Sequence, residues 1–274
     1  MNKKINIYSL KSYIYSFVKK IYELSFYDLL ISLVRSRCYS IIYNSKKYKF
    51  FAPNSVCLWR AKTFATKEPE TLNWIKSFEP GSVFWDIGAN VGLYSIFAAK
   101  NNNCKVLSFE PSIFNLEVLG KNIFINNCTD SITIIPLAIS NKIGKGLLNM
   151  SSLDYGGALS TFDKTYGSDG KVFDIKFNFP ILSISLDDLT SKLNFEYPDY
   201  IKIDVDGIEQ LILEGGINVL KHTKSILIEL PDLWKEQKEN CEKILANAGF
   251  NILFNGDWDI DYKPNGSPNQ IWIR

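Results

Sequence analysis

Val83-Phe84-Trp85-Asp86-Ile87-Gly88-Ala89-Asn90-Val91-Gly92-Leu93-Tyr94 runs from an apolar stretch, through an acid and two glycines, into a segment with helical spacing. Residues 83–85 predict a buried strand and residues 93–100, Leu-Tyr-Ser-Ile-Phe-Ala-Ala-Lys, predict a helix. The backbone between them must turn sharply, so Gly88 and Gly92 stand where positive φ or close backbone approach costs least. Free N–H groups at the start of such a helix attract an anionic group of a ligand.

A dinucleotide-binding loop spaces its glycines as Gly-x-Gly-x-x-Gly, with a pyrophosphate on the helix N-terminus. Here the order is Asp-x-Gly-x-Asn-x-Gly, and Asp86 would repel a pyrophosphate. S-adenosylmethionine, which carries an ammonium and a sulfonium, suits an acid at this position. The alternative is an ordinary strand–turn–helix corner, against which stands the need of a buried acid for a partner.

A chain of 274 residues can bury one large core. With 46% hydrophobic and 22% charged residues it reads as globular and soluble. The charge is unevenly placed. Residues 1–50 hold ten basic residues against Glu23 and Asp28, a local +8, which leaves −6 for the remainder of a +2 chain. Such a segment suits an anionic membrane surface or an acidic partner, or is simply a solvated helix face. Cys38, Cys57, Cys104, Cys128 and Cys241 form no Cys-x-x-Cys pair and are odd in number, which predicts a reducing, cytoplasmic setting. The apolar run at residues 29–34 is far shorter than the ~20 residues of a membrane span, and no signal-peptide core is visible.

In chain order, aromatic and aliphatic residues at three-and-four spacing (Tyr8, Tyr13, Phe17, Ile21, Leu24) predict one or two amphipathic helices over residues 5–42. Residues 1–45 are therefore read as a basic helical extension, docking on the domain or on a second copy, and residues 46–274 as the main domain. Residues 48–60 look extended, with a turn at Pro53-Asn54-Ser55. Thr66 is an N-cap candidate for a helix bearing Trp74, Ile75 and Phe78. Beyond residue 83, strands at 104–109, 131–139, 181–186, 200–205 and 225–230 alternate with helices at 113–126 and 234–248, and two final strands follow at 250–254 and 270–273. Two βαβ halves predict an α/β fold with a doubly wound, mostly parallel sheet. Residues 141–180 carry six glycines and read as an edge hairpin with a long loop.

In an open α/β sheet the ligand lies beyond the carboxyl ends of the strands. Asp86, Glu110 and the pair Asp204 and Asp206 all fall there. Glu110 follows Asp86 by 24 residues, near the ~20-residue offset at which an acid clamps ribose hydroxyls; an N-cap for the next helix is the other reading. Strand alternation would place Lys202, Asp204 and Asp206 on one side, a crowding that favours a general base, a carboxylate-held Mg²⁺ or Ca²⁺, or a salt-bridged strand end. His222 reads as a cation at a helix C-terminus. With one His and no paired Cys, zinc and Ser/His/Asp mechanisms lack parts, so no metal is assigned. A phosphate-binding Gly-x-x-x-x-Gly-Lys loop is absent from the sequence, and no nucleic-acid module is recognisable.

Glu68-Pro69-Glu70-Thr71 with Trp74-Ile75, the Asp86–Ser95 stretch, Phe109-Glu110-Pro111, Leu137-Ala138-Ile139-Ser140, Ser185-Leu186-Asp187, the run from Ile201 to Glu209 and Ile228-Glu229 together resemble the FkbM-type methyltransferases. The resemblance covers roughly residues 49–254 and rests on the order and number of these motifs. It implies a class I methyltransferase fold, a seven-stranded sheet with an antiparallel last strand, and O-methylation of sugar or polyketide-like hydroxyls, hence a small-molecule or glycan acceptor. It further implies that Asp86, Gly88, Asn90 and Gly92 hold the methionine moiety, Glu110 the ribose, and Ala138 the adenine. Glu68, Tyr94, Pro111 and Asp204 complete the implied cofactor set. Members of the family often have Glu where Asp206 stands. Asp204 or Asp206 is the candidate base, Glu209 and Glu229 supporting contacts, and Tyr155-Gly156-Gly157 an acceptor wall. The competing reading is a non-catalytic methyltransferase-fold module acting through its basic N-terminal helices.

Overall fold

The computed structural model describes residues 7–230, 232–256 and 269–274. It divides into two units, residues 1–38 and 39–274. The boundary falls earlier than the expected 45/46, because β1 (Cys38–Tyr43) pairs with β2 (Lys46–Phe51). Asn44 and Ser45, both at positive φ, make the tight turn between them.

The first unit is one helix, α1 (Ile7–Arg35); residues 1–6 of the expected extension lie outside the described residues. It is not amphipathic along its whole length. At 3.6 residues per turn, Ser12, Ser16, Lys19 and Lys20 share one side, whereas Ser25, Asp28 and Ser32 share the opposite side. The polar stripe changes sides near the middle, so apolar residues are spread all round the helix. Tyr13, Tyr15, Phe17, Tyr22, Phe26 and Leu33 are all exposed.

In the second unit, α2 (Ser55–Lys62) replaces the expected extended segment, since the Asn54 side chain accepts the Cys57 amide at 2.9 Å and caps a helix rather than a hairpin. The next helix, α3 (Pro69–Lys76), starts after Glu68 with Pro69 at its first position. Thr66 is not its cap; its hydroxyl bonds back to the Thr63 carbonyl.

There follow β3 (Val83–Ile87), α4 (Leu93–Asn102), β4 (Lys105–Phe109), α5 (Ile113–Ile125) and β5 (Ile132–Ile135). The strand expected over 131–139 is broken at Pro136, which has no N–H for a ladder. Its second part, β6 (Ala138–Ile139), joins β7 (Gly144–Met150), β8 (Ser160–Phe162) and β9 (Phe177–Ile184) in a second sheet of order β6-β9-β7-β8. Residues 141–180 are thus not an edge hairpin of the main sheet, and residues 181–186 do not return to it. β7 and β9 pair antiparallel along the whole of β7, from Gly144↔Ser183 to Met150↔Phe177.

The chain continues through α6 (Leu186–Leu193), β10 (Tyr200–Ile203), α7 (Glu209–Glu214), α8 (Ile217–His222), β11 (Ser225–Glu229), α9 (Lys235–Asn247), β12 (Asn251–Asn255) and β13 (Asn269–Ile273). The main sheet has seven strands in the order β12-β13-β11-β10-β3-β4-β5. Strands β11, β10, β3, β4 and β5 are parallel, and β13 runs antiparallel to β11 and β12. Alternation sends Phe84 to a core shared with Ile96, Phe97 and Leu119, and Trp85 and Ile87 to a core shared with Ile201, Ile203 and Leu213. The order of connection reverses between β3 and β10, where Ile87 lies beside Ile203. That is the switch point at which an α/β sheet opens a crevice for a ligand.

Candidate active site

At the switch point Gly88 follows β3 and Asp204 follows β10. Gly88 has φ +83°, and a Cβ there would stand 1.9 Å from the Asp204 carbonyl oxygen. Only glycine lets the two strand ends approach so closely. The Gly88 and Ala89 amides both donate to the Phe109 carbonyl at 3.0 Å, tying the loop to β4. Asn90 takes positive φ, and Gly92 caps α4 in the left-handed region. Gly92 faces α5, with Leu119 where its Cβ would be. It shapes the turn and does not line the cleft.

The cleft has three parts. An apolar slot is lined by Pro111, Leu137, Ala138, Phe162, Val205 and Ile208. Next to it lies an open part with Glu110, Gly157, Ser160, Asp204, Asp206 and Glu229 in its walls. A third part, toward α2 and α3, is bounded by Arg60, Lys67, Glu68, Asn90, Tyr94 and Lys202. Gly88 borders all three.

Glu110 sits at the end of β4 with one carboxylate oxygen accepting the Asn90 amide and the other the Ser112 amide, each at 2.8 Å. The Asn115 side chain adds a third donor, which leaves the carboxylate room for one more. Burial pushes its pKa up to about 7 despite those amides. The Asn90 side chain donates to the Gly157 carbonyl at 2.9 Å, while its Oδ1 is buried without a partner. Asp86 lies beneath the loop rather than in its wall. One oxygen accepts Ser95 Oγ at 2.5 Å and the other is an orphan; burial raises its pKa.

Strand β10 ends at Ile203, so the expected alternation through Asp206 stops there. Lys202 is buried and ion-paired with Asp204. Burial opposes its charge, but Asp204, Glu68 and Asp86 hold its pKa above the ordinary value. Burial likewise disfavours an ionised Asp204, yet Lys202, a hydrogen bond from Glu229, and Lys67 keep it well below the usual carboxylate range. Lys67 pairs with Glu68 at 2.5 Å; Glu68 is lowered by Lys67 and Lys202 against its burial. Tyr94 is raised well above its ordinary value by burial and by Glu68, and its ring lies 5.0 Å from the Lys202 ammonium.

Asp206 turns the other way, toward the second sheet. Its Oδ2 accepts the Ser160 amide at 3.0 Å and its carbonyl accepts Thr161 Oγ1 at 2.8 Å. Burial pushes its pKa up to about 6, and Asp204 adds to the rise. Glu209 is not in the cleft. It is fully buried under α9, accepting Gln237 Nε2 at 2.5 Å and the Gly207 amide at 3.3 Å, and burial pushes it up to about 8. Of the expected acceptor wall, Gly157 lines the cleft. Tyr155 points its hydroxyl to Glu117 at 2.9 Å, and the Gly156 carbonyl accepts Arg60 Nε at 2.7 Å. Those two fasten the loop to α5 and α2.

Sequence reasoning missed Arg60 and Lys67, the cations of the third part, and Asn115, which holds the Gly156 amide at 2.9 Å. Neither Asn115 nor Arg60 carried a local signal: Asn115 is one of several polar residues on α5, with Glu117, Lys121 and Asn122, and Arg60 lies in a segment read as extended. Among the described residues no group of three or more His, Cys, Asp and Glu is placed to hold a metal ion.

An apolar slot, a buried acid at a strand end, and an orphan acceptor on Asn90 fit, in turn, an adenine, ribose hydroxyls and an ammonium; Asp86, beneath the loop, lines no part of the cleft. Fold and site together define a class I S-adenosylmethionine-dependent methyltransferase. The methyltransferase FkbM domain matches residues 86–252, and the chain belongs to that family. It is 25% identical over 177 residues to the hexuronic acid methyltransferase AglP of Haloferax volcanii, a match spanning 63% of this chain and 66% of that protein. It is 24% identical over 190 residues to the methyltransferase sdnD of Sordaria araneosa, covering 61% and 73%. A solved structure from Streptococcus mutans, assigned to the S-adenosylmethionine-dependent methyltransferases, shares the fold with a TM-score of 0.51 at 12% identity, covering 86% of this chain and 55% of that one.

Proposed function

We propose that this methyltransferase acts on a hydroxyl oxygen of a sugar or hydroxylated metabolite, with Asp206 as general base. The observation that carries the reading is the pairing of unlike carboxylates on one cleft. Asp204 is held ionised by Lys202 and is therefore a weak base, whereas Asp206, pushed up to about 6, is poised to take a proton near neutral pH. S-adenosylmethionine supplies an electrophilic methyl group on a sulfonium. The protein aligns the acceptor oxygen and removes its proton. The Ser160 and Leu159 amides orient the Asp206 carboxylate in the wall of the cleft, within reach of an acceptor hydroxyl. Glu110, Asn90 and the slot at Ala138 would hold the cofactor's ribose, ammonium and adenine. Glu209, lacking access to the cleft, supports Gly207 and is not assigned a catalytic part.

A sugar acceptor is supported by the relative named for hexuronic acid and by a polar open cleft. Incubating the enzyme with methyl-¹³C S-adenosylmethionine and glycan or metabolite extracts tests it: a product heavier by the mass of one ¹³C-methylene per methyl, with the carbon resonance of a methyl ether, is expected. An N-methyl or C-methyl product would overturn the hydroxyl assignment.

We further propose that α1 rests on an anionic lipid surface from the cytoplasmic side. Residues 1–50 carry +8, of which α1 itself holds +2 with Lys11, Lys19, Lys20 and Arg35 against Glu23 and Asp28, and the exposed tyrosines and lysines of α1 suit a headgroup layer. No described helix is long and apolar enough to cross a membrane.

A further inference from the structure

Three cations border the cleft, and two of them are paired: Lys67 with Glu68 and Lys202 with Asp204. Arg60 has no carboxylate partner among the described residues. Its Nε is used, donating to the Gly156 carbonyl at 2.7 Å, and that bond holds the guanidinium plane in place. The two terminal nitrogens are left over. Arg60 borders both the part of the cleft beside Asn90 and Tyr94 and the part beside Asp204, Asp206 and Glu229. A half-buried guanidinium fork with one edge fastened and the other open is the geometry that binds a carboxylate in two parallel hydrogen bonds. The surrounding acids sharpen the argument. Asp204, and Glu110 and Asp206 when ionised, would repel an anion, so a carboxylate in this cleft is best taken where Arg60 stands.

We infer that Arg60 is a carboxylate receptor of the cleft. The carboxylate has two sources: the methionine end of the cofactor, or a uronic-acid type of acceptor. The inference rests on reading the cleft as the cofactor and acceptor site, but not on Asp206 as base, since it is tested by binding without turnover.

Isothermal calorimetry on the full chain separates the sources. The probes are S-adenosylhomocysteine, its decarboxylated analogue S-adenosyl-3-thiopropylamine, and glucuronate or glucose titrated into protein saturated with S-adenosylhomocysteine. Arg60→Gln removes the charge and keeps an N–H for Gly156; Arg60→Lys keeps the charge. If Arg60 takes the cofactor's carboxylate, R60Q weakens S-adenosylhomocysteine by ~10–100-fold, the range of one charge-assisted pair, and leaves the decarboxylated analogue unchanged. If it takes the acceptor's, R60Q leaves both adenosyl compounds unchanged and abolishes glucuronate binding but not that of glucose. R60K retains most of the affinity in either case. Equal weakening of both adenosyl compounds would show that Arg60 only props the Gly156 loop, and no effect on any probe would show that it binds nothing; either result overturns the inference.

Discussion

Two buried acids of this protein titrate in opposite service. Glu110, the proposed ribose acceptor, lines the cleft with its pKa pushed up to about 7. A protonated Glu110 is a poorer acceptor of ribose hydroxyls, so affinity for S-adenosylhomocysteine should fall as pH drops from 8 to 6. Glu110→Gln should bind ~10–100-fold more weakly, the scale of a hydrogen bond to a charged group, with that pH dependence gone. Calorimetry at the two pH values checks both. Glu209 is structural. Its folded-state pKa of about 8 is raised from 4.5, so its contribution to stability is complete below pH 4.5 and is lost as pH rises through 8. In that window it lowers stability by up to ~1.4 kcal/mol per pH unit. Glu209→Gln, with the Gln237 amide turned over to accept, should flatten the decline of Tm between pH 5 and 8. A steeper decline in the variant would contradict a protonated Glu209.

At the scale of elements, the junction of β3 and β10 is the part with least tolerance. Gly88→Ala places a methyl against the Asp204 carbonyl at an unfavourable φ, and should cost more than ~3 kcal/mol and cofactor binding together. Gly81→Ala has a similar φ of +80° but open space around it, so it should cost only ~1 kcal/mol. Thermal unfolding of the pair isolates the collision from the strain. The same junction explains what could be read beforehand. Gly88, Asn90 and Glu110 lie within a few residues of apolar strand ends, so local pattern reveals them, and alternation of strands and helices reveals the parallel sheet. The second sheet was not legible. Gly144 and Gly146 in β7 and Pro180 in β9 are poor strand formers, and the pairing of Gly144 with Ser183 spans residues no window can join. Arg60 was hidden for a related reason: Tyr48, Phe50 and Phe51 look like an extended run that continues to residue 60, and the Asn54 cap that ends it is a single side-chain bond. Glu209 illustrates the converse, a motif acid in the right stretch whose helix turns it away from the cleft.

For the whole molecule, the proposed lipid contact of α1 has a direct consequence. The full chain should sediment with vesicles containing phosphatidylglycerol and not with phosphatidylcholine alone, and binding should weaken as salt rises from 50 to 500 mM because it depends on Lys11, Lys19, Lys20 and their neighbours. Binding equal on both lipids would show that charge plays no part. The proposed base makes a sharper demand, since it should separate holding the cofactor from removing a proton. Asp206→Asn tests that separation most directly, with calorimetric affinity for S-adenosylmethionine and methyl transfer measured on the same preparation. Cofactor affinity within about threefold of the wild type, with transfer reduced ~10²-fold or more and no longer rising with pH through 6, is the expected result; transfer at the wild-type rate would contradict Asp206 as the base.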